Sequence, residues 1–277
     1  MIKKKIYNLY NLIFSKINTI RYYCIEKFLY LKNKKKSKYI LMKKSPLISI
    51  IMPTYNRCEI LSKIGIPTVL KQTYKNFELI IVSHGSTDQT KSMVNKISDN
   101  RVKFFQIKRE QRYPPNIENH WACHSVDPTN FGLKVIKGDW ISHLDDDDIW
   151  TKDHLEKLLN FALKNKYEFV SSSHLEIRYG RKKIIDSSKK KPPIGSQHTW
   201  LYTSNLSFFK RNINAWRRNW NRIHDVDVAD RMVKVGLNFG YLNEVTYIAQ
   251  PRPGEKQIGI RAMRKNKKFY DDIYKFS

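Results

Sequence analysis

The order of apolar and polar positions from residue 47 onward alternates between short apolar runs and longer stretches with helical periodicity. Four apolar runs predict strands: LISIIM (47–52), FELIIVS (77–83), VKFFQI (102–107) and WISHL (140–144). Residues 58–71 and 87–97 predict helices, a further helical stretch reaches Val135, and another begins near Lys152. Strands that alternate with helices predict an α/β fold with a mostly parallel sheet and helices on both faces.

In a sheet of this kind, ligands bind beyond the carboxyl ends of the strands. Three segments follow directly after predicted strands, at residues 53–57, 83–88 and 145–148. We therefore expect the chemistry of the protein to lie in these segments.

Residues 1–45 follow a different pattern, with thirteen Lys or Arg residues and Glu26 as the single acid. Apolar residues recur there at steps of three and four, which marks one face of a helix: Ile6, Leu9, Ile13, Ile17, Ile20, Cys24, Phe28 and Leu31. No uncharged run approaches the roughly 20 residues of a bilayer span, and no small-residue cleavage site follows. We expect a basic amphipathic arm that lies flat on an anionic membrane, with packing on its own domain or on a second subunit as the alternative.

The chain is thus divided into the arm (1–45), a main domain (46–255) and a basic tail (256–277), and its 277 residues suffice for one sizeable domain. Its formal charge of +27 predicts an anionic partner, which can be a nucleic acid, a phospholipid surface or a phosphorylated substrate, although a genome-wide bias toward Lys, Asn and Ile codons also explains such an excess. Three separated cysteines without a CxxC pair fit a reducing compartment. We expect a cytoplasmic protein, with the arm on the inner face of the membrane.

The stretch ISHLDDDDIW (141–150) places four consecutive carboxylates after an apolar run. Charges of the same sign repel one another at this spacing unless a cation lies between them, and carboxylates are the ligands that hard divalent ions prefer. An acidic helix N-terminus is the alternative for Asp147 and Asp148, but it does not explain four acids in a row. The run therefore predicts a site for Mg²⁺ or Mn²⁺ that in turn holds a diphosphate.

Four blocks of the sequence resemble family 2 glycosyltransferases of the GT-A fold, which is Rossmann-like. They occur in the order and spacing of that family: SIIMPTYNR (49–57), VLKQTYKNFELIIVSHGSTDQT (69–90), NFGLKVIKGDWISHLDDDDIW (130–150) and RIHDVDVADRMVKVG (222–236). The resemblance runs from about Leu47 to Arg252. It implies a metal-dependent, inverting transferase that uses a nucleoside-diphosphate sugar, with a UDP-sugar as the first candidate donor.

The resemblance also implies the site residues. Asp145, Asp146 and Asp147 match the DxD motif, with Asp145 and Asp147 assigned to the metal and Asp146 to the donor. Asp225 matches the general base that deprotonates the acceptor hydroxyl, and Asp227 is a second acid nearby. The remaining expected donor-binding residues are Pro53, Thr54, Tyr55, Arg57, His84 and Arg252.

Two positions depart from the family pattern. Ser83 and His84 replace the usual pair of acids after the second strand, one of which commonly bonds the pyrimidine, so recognition of uracil is not inherited. His124 lies where some relatives have an arginine near the donor, and a neutral imidazole binds phosphate less well than a guanidinium does. His198, Trp200 and Asn205 are candidates for the acceptor pocket, although Trp200 is equally typical of a core residue.

We expect an enzyme of cell-surface glycan assembly, as for polysaccharide, lipopolysaccharide or capsule, with a saccharide or a lipid-linked acceptor. An inactive GT-A-like binding protein is one alternative. A basic nucleic-acid-binding protein is another, but the sequence contains no recognition motif for nucleic acid, and an acid cluster without metal repels phosphates. The sequence gives no indication of the oligomeric state.

Overall fold

A computed structural model gives the structure of residues 2–110, 113–114, 116–215 and 223–274. Nine strands form one sheet, and in sheet order they are residues 102–107, 77–84, 48–54, 140–143, 201–203, 169–178, 239–249 and 149–150, with 181–185 paired to 169–178. The first four in this order are parallel and carry the loops that the sequence pattern indicated.

The parallel half of the sheet confirms the four predicted strands to within two residues. It consists of β1 (Ile48–Thr54), β2 (Phe77–His84), β3 (Val102–Ile107) and β4 (Trp140–His143). The strand β2 is buried along its whole length, and in register Ile51 faces Ile80 of β2 and His143 of β4. Continuous apolar runs form such strands because helices cover both faces of the sheet.

The helices around this half also follow the predicted positions. A single helical segment, with a π-helical turn at Leu61–Gly65, links α2 (Cys58–Ile60) to α3 (Ile66–Leu70). The others are α4 (Thr90–Asn95), α5 (Ile117–Trp121), α6 (Val126–Val135) and α7 (His154–Asn165).

The second half of the sheet is mixed, which the sequence pattern did not indicate. It contains β5 (Ile149–Trp150), β6 (Phe169–Arg178), β7 (Arg181–Ile185), β8 (Leu201–Thr203) and β9 (Phe239–Ala249). The β8 strand is antiparallel to both β4 and β6, while β9 is parallel to β6 and antiparallel to β5. The hairpin β6–β7 turns at Gly180, whose φ of 73° is readily adopted by glycine.

Helix α8 (His224–Val235) lies against the mixed half and joins it to the arm. Its Val228, Met232 and Val235 pack with Phe169 of β6 and Trp200 in one core cluster. The left-handed Gly236 ends the helix.

The arm forms one long helix, α1 (Ile2–Ile40). Its second half packs on the main domain: Glu26, Tyr30, Ser37 and Ile40 are all buried. Among the helices of the described residues, none combines the length and the apolar content that crossing a membrane requires.

The basic tail also folds onto the main domain. It contains α9 (Gly259–Lys265) and α10 (Lys267–Tyr274). Met263 of α9 and Tyr270 of α10 are buried against Ile117 of α5, which brings the tail to the carboxyl ends of the strands.

Candidate active site

The four acids form a tight turn directly after β4. The backbone amide of Asp148 donates to the carbonyl oxygen of Asp145 (3.3 Å), and β5 follows, not a helix. Gly65 in the π-helical turn packs against this loop, where a Cβ atom would lie 2.7 Å from the backbone oxygen of Asp146. The alternative of an acidic helix N-terminus is therefore wrong, because α7 begins only at His154.

Two of the four acids are bound by arginines. Asp146 is buried, and its carboxylate accepts hydrogen bonds from the Thr54 hydroxyl (2.7 Å) and from the Arg57 guanidinium (2.8 Å). Asp147 accepts from Arg252 Nε and lies 3.8 Å from Arg57. Burial opposes the charge on Asp147, but Arg252 and then Arg57 lower the pKa of its carboxyl far below the ordinary value. We therefore expect this carboxylate to be ionised at neutral pH.

The other two acids face a histidine. His198 Nε2 lies 3.4 Å from Asp145 Oδ2, and His198 Nδ1 lies 3.2 Å from Asp148 Oδ2. The Trp150 indole donates to the backbone oxygen of His198 (2.6 Å), which fixes the turn that carries it. One ligand atom from each of Asp145, Asp148 and His198 lies within 4.8 Å of the others, so these three side chains are able to hold one metal ion.

Burial shifts the pKa values of both His198 and Asp148. Burial lowers the pKa of His198, but the carboxylates of Asp148 and Asp145 outweigh it and raise that pKa to about 9. Burial raises the pKa of Asp148 as well. We assign the shared proton to His198, because two carboxylates stabilise the imidazolium.

Asp225 lies in the first turn of α8. Its Oδ1 accepts from the amide of Val226 (2.8 Å), and burial raises its pKa above the ordinary value. Asp227 instead points into the core, where it accepts from Arg231 (3.0 Å), and Arg231 also binds Glu26 of the arm. Asp227 thus stabilises the packing of α1 on α8 and does not face the cavity.

A cavity of about 620 Å³ brings most of these groups together. Its walls include all the acids of the loop except Asp146, together with Asp225, Arg57, His198 and Arg252. Beyond them the cavity reaches the β6–β7 hairpin, where Arg178 and Lys190 line it.

A second, smaller cavity of about 50 Å³ lies beside the first, and both share Arg57, His124, Asp145 and Arg252. The rest of its wall contains the other predicted donor-binding residues: Pro53, Thr54, Tyr55, His84 and Asp146. The Arg109 guanidinium stacks 4.2 Å above the Tyr55 ring, and Asp127 Oδ2 lies 4.0 Å from His84 Nε2. All ten predicted site residues therefore line one of two adjoining cavities.

The structure also brings in two residues that the sequence analysis missed. Arg109 and Asp127 come from segments without a family signature, and no sequence pattern pointed to them. Asp148 and His198 were both expected near the site, but their contact, from positions 50 residues apart, was not expected.

The three candidates for the acceptor pocket separate in the structure. His198 and Trp200 line the large cavity, but Trp200 is 2% exposed and its indole donates to the backbone of Gly195 (3.0 Å), as a core residue does. Asn205 is buried and does not line either cavity. His124 lines both, and burial lowers its pKa, so it is neutral.

A protein-family model matches the part of the chain that carries most of these residues. The model described as Glycosyl transferase family 2 matches residues 49–119 and 128–225. The chain is 35% identical over 142 residues to the UDP-Glc:alpha-D-GlcNAc-diphosphoundecaprenol beta-1,3-glucosyltransferase WfgD of Escherichia coli. That match covers 51% of this chain, and the chain spans about half (48%) of the length of WfgD.

Two solved structures have the same fold at low sequence identity. TarS 1–349 of S. aureus in complex with UDP-GlcNAc matches with a TM-score of 0.58 and 20% identity, over 76% of this chain and 60% of TarS 1–349. The mannosyltransferase PcManGT of Pyrobaculum calidifontis, in complex with GDP-Man and Mn²⁺, matches with a TM-score of 0.55 and 16% identity, over 87% of this chain and 70% of PcManGT.

Proposed function

The chain belongs to glycosyltransferase family 2 and has the GT-A fold, and we propose that it transfers a sugar from a nucleoside-diphosphate sugar to a glycan or lipid-linked acceptor during assembly of a cell-surface glycan. One observation carries the proposal. The acid loop after β4, the predicted base Asp225 and two arginines meet in a cavity that opens on one side to the nucleoside loop 53–57. Such a site has room for a donor and an acceptor together.

We propose that the donor occupies the small cavity and the adjoining part of the large one. Tyr55, stacked under Arg109, offers a flat surface for the base, and the His84–Asp127 pair offers polar atoms at its edge. The name of WfgD gives UDP-Glc as its donor, and TarS was solved with UDP-GlcNAc bound. Both relatives favour UDP as the nucleotide.

Arg57 and Arg252 are placed to hold the diphosphate. Both line both cavities, at the junction where the nucleoside part ends and the acids begin. A guanidinium bonds phosphate oxygens in pairs and keeps its charge at every relevant pH. We propose that Asp147 positions the Arg252 guanidinium for the diphosphate when the donor binds.

The side chains fit a divalent ion, although with a ligand set that differs from the expectation from sequence. We propose Asp145, Asp148 and His198 as ligands of Mn²⁺ or Mg²⁺, because these three converge while Asp147 is bound by Arg252. An ion bound there supplies positive charge next to the departing nucleoside diphosphate. His198 must lose its proton to become a ligand.

We propose Asp225 as the general base. Burial raises its pKa, which makes it a better proton acceptor than an exposed carboxylate. It lines the same cavity as the acid loop, from helix α8. We propose that an acceptor hydroxyl beside it attacks from the face opposite the leaving group. That arrangement favours inversion at the anomeric carbon.

We propose a lipid-linked acceptor, with the protein acting on the inner face of the membrane. The large cavity extends beyond the acid loop to Arg178 and Lys190, and we call this part its acceptor end. The charges of these two residues would complement an acceptor diphosphate. The acceptor in the name of WfgD is such a lipid diphosphate.

Transfer assays with UDP-, GDP- and dTDP-sugars test this function, with Mn²⁺ or with EDTA and with GlcNAc-diphosphoundecaprenol as the acceptor. We expect transfer from one nucleotide class only, loss of transfer in EDTA, and inversion of the anomeric configuration. Asp225→Asn should abolish turnover and keep donor binding, and normal turnover in that variant would remove Asp225 from the mechanism. A chain that binds a nucleotide sugar but transfers it to no acceptor, with or without metal, would instead be an inactive binding protein.

A further inference from the structure

We propose that the outward apolar stripe of helix α1 is a docking surface for an anionic lipid bilayer and that it holds the acceptor end of the cavity against the membrane. The stripe is the set of apolar residues defined from the sequence: Ile6, Leu9, Ile13, Ile17, Ile20, Cys24, Phe28 and Leu31. The proposal deepens the proposed function, since it names the surface on which that site would meet a lipid-linked acceptor.

The stripe faces solvent along its whole length. Its seven large side chains are each between 50% and 65% exposed, and Cys24 is also exposed. A contiguous row of this kind on a soluble domain marks a surface that another body covers.

The main domain does not cover the stripe, because α1 packs on it through the opposite face. At about 100° per residue, the buried positions Glu26, Tyr30 and Ser37 lie roughly opposite the stripe. Glu26 binds Arg231, and the Tyr30 hydroxyl donates to Glu168 (2.8 Å). The alternative that α1 packs on its own domain is thus correct for the face that carries Glu26 and Tyr30, and the stripe on the other face stays exposed.

The charges beside the stripe favour an anionic lipid surface over a second copy of the chain. Exposed basic residues lie on both sides of it, Lys16 on one side and Arg21 on the other, and exposed lysines follow its end at positions 34, 35 and 38. The single acid of the arm, Glu26, is buried against Arg231. Two copies paired through the stripe would bring basic flanks together without acidic partners, whereas paired helices in water usually alternate the two signs there. Lysines beside an apolar row are typical of helices that lie in an anionic membrane interface.

Helix α1 lies against the helix that forms one wall of the cavity. Glu26 of α1 contacts Arg231 of α8, and Lys27 donates to the backbone oxygen of Val235 (2.7 Å). Helix α8 also lines the cavity, with Asp225 and Ala229 among its wall residues. A bilayer bound along the open face of α1 would therefore lie beside the wall that carries the proposed base.

Vesicle co-sedimentation with two matched double variants tests the docking surface. Ile13→Glu with Ile17→Glu places two charges on the stripe. Leu12→Glu with Ile25→Glu places the same two charges on exposed positions of α1 that lie about 110° from its midline. On vesicles that contain phosphatidylglycerol, we expect the first variant to lose at least about tenfold in partitioning and the second less than about threefold, because only the first removes apolar contact with the lipid. Equal losses, or no loss in the first variant, would overturn the proposal.

The oligomeric state of the same proteins shows whether the stripe binds lipid or a second copy of the chain. We expect the wild type and both variants to have one common mass in solution. If the wild type is a dimer and only the stripe variant is a monomer, the stripe is a subunit interface and the lipid proposal is wrong.

A comparison of two acceptors tests the orientation. GlcNAc-diphosphoundecaprenol in the same vesicles is compared with a water-soluble GlcNAc diphosphate that carries a short chain. We expect the stripe variant to lose transfer to the vesicle acceptor and keep transfer to the soluble one, and equal transfer to both would overturn the orientation. If the wild type uses neither acceptor, the proposed function fails, while vesicle binding still decides the role of the stripe.

Discussion

The two pairs of acids in the loop after β4 are neighbours in sequence but have different partners. Asp146 and Asp147 are bound by Arg57 and Arg252, whose charge is permanent, while Asp145 and Asp148 face His198, which can lose its proton. A metal ion can replace the proton of a histidine but cannot discharge an arginine. The side chains opposite therefore determine what each acid of the run can do. The two acids that face His198 are suited to binding a metal, and the two bound by arginines are suited to positioning the donor.

The largest expected effect comes from the histidine side. Asp148→Asn should abolish binding of Mn²⁺ and lower kcat by about 10³-fold, since the positive charge on the leaving group contributes several kcal/mol. Calorimetry with Mn²⁺ and single-turnover transfer measure the two effects. Retained Mn²⁺ binding in this variant, together with its loss in Asp147→Asn, would restore the ligand set expected from sequence.

A smaller effect is expected on the arginine side. Asp147→Asn should weaken donor binding about tenfold, because Arg252 loses the partner that places it near the diphosphate. Its affinity for Mn²⁺ without donor should stay within about threefold of the wild type. Arg252→Ala provides the matched control: if the two residues act together, the double variant should lose no more than the worse single variant.

A change of pH alone also distinguishes the two pairs. The pKa of His198, raised to about 9, means that a metal must displace a proton at neutral pH. Mn²⁺ affinity should therefore rise with pH, by up to about tenfold per unit between pH 7 and 9, and level off above that range. A competition titration with a coloured chelator measures this slope, and His198→Asn should flatten it. An unchanged slope in that variant would mean that the proton released on metal binding comes from a group other than His198.

The parallel half of the sheet and the positions of its loops could be read from the sequence. Each apolar run there forms a strand, and ligands bind at the carboxyl ends of such strands whatever the side chains are, so the acid run and the loop 53–57 had to meet. The apolar pattern predicted the mixed half, β5 to β9, less well. The strand β8, for example, has only three residues, and its antiparallel direction follows from its pairing with β4 and β6, which the sequence does not show.

The sequence by itself determined the family, the strands that carry the site, the acid run and the apolar stripe of α1. Only the tertiary structure decided that Asp148 faces His198, that Arg252 binds Asp147, that Asp227 belongs to the core and that α1 packs through Glu26 and Tyr30. The physical reason is that periodicity and apolar runs are local properties of the chain. The partner of each acid in the loop after β4 is instead fixed by a contact across the fold, between residues 50 or more positions apart.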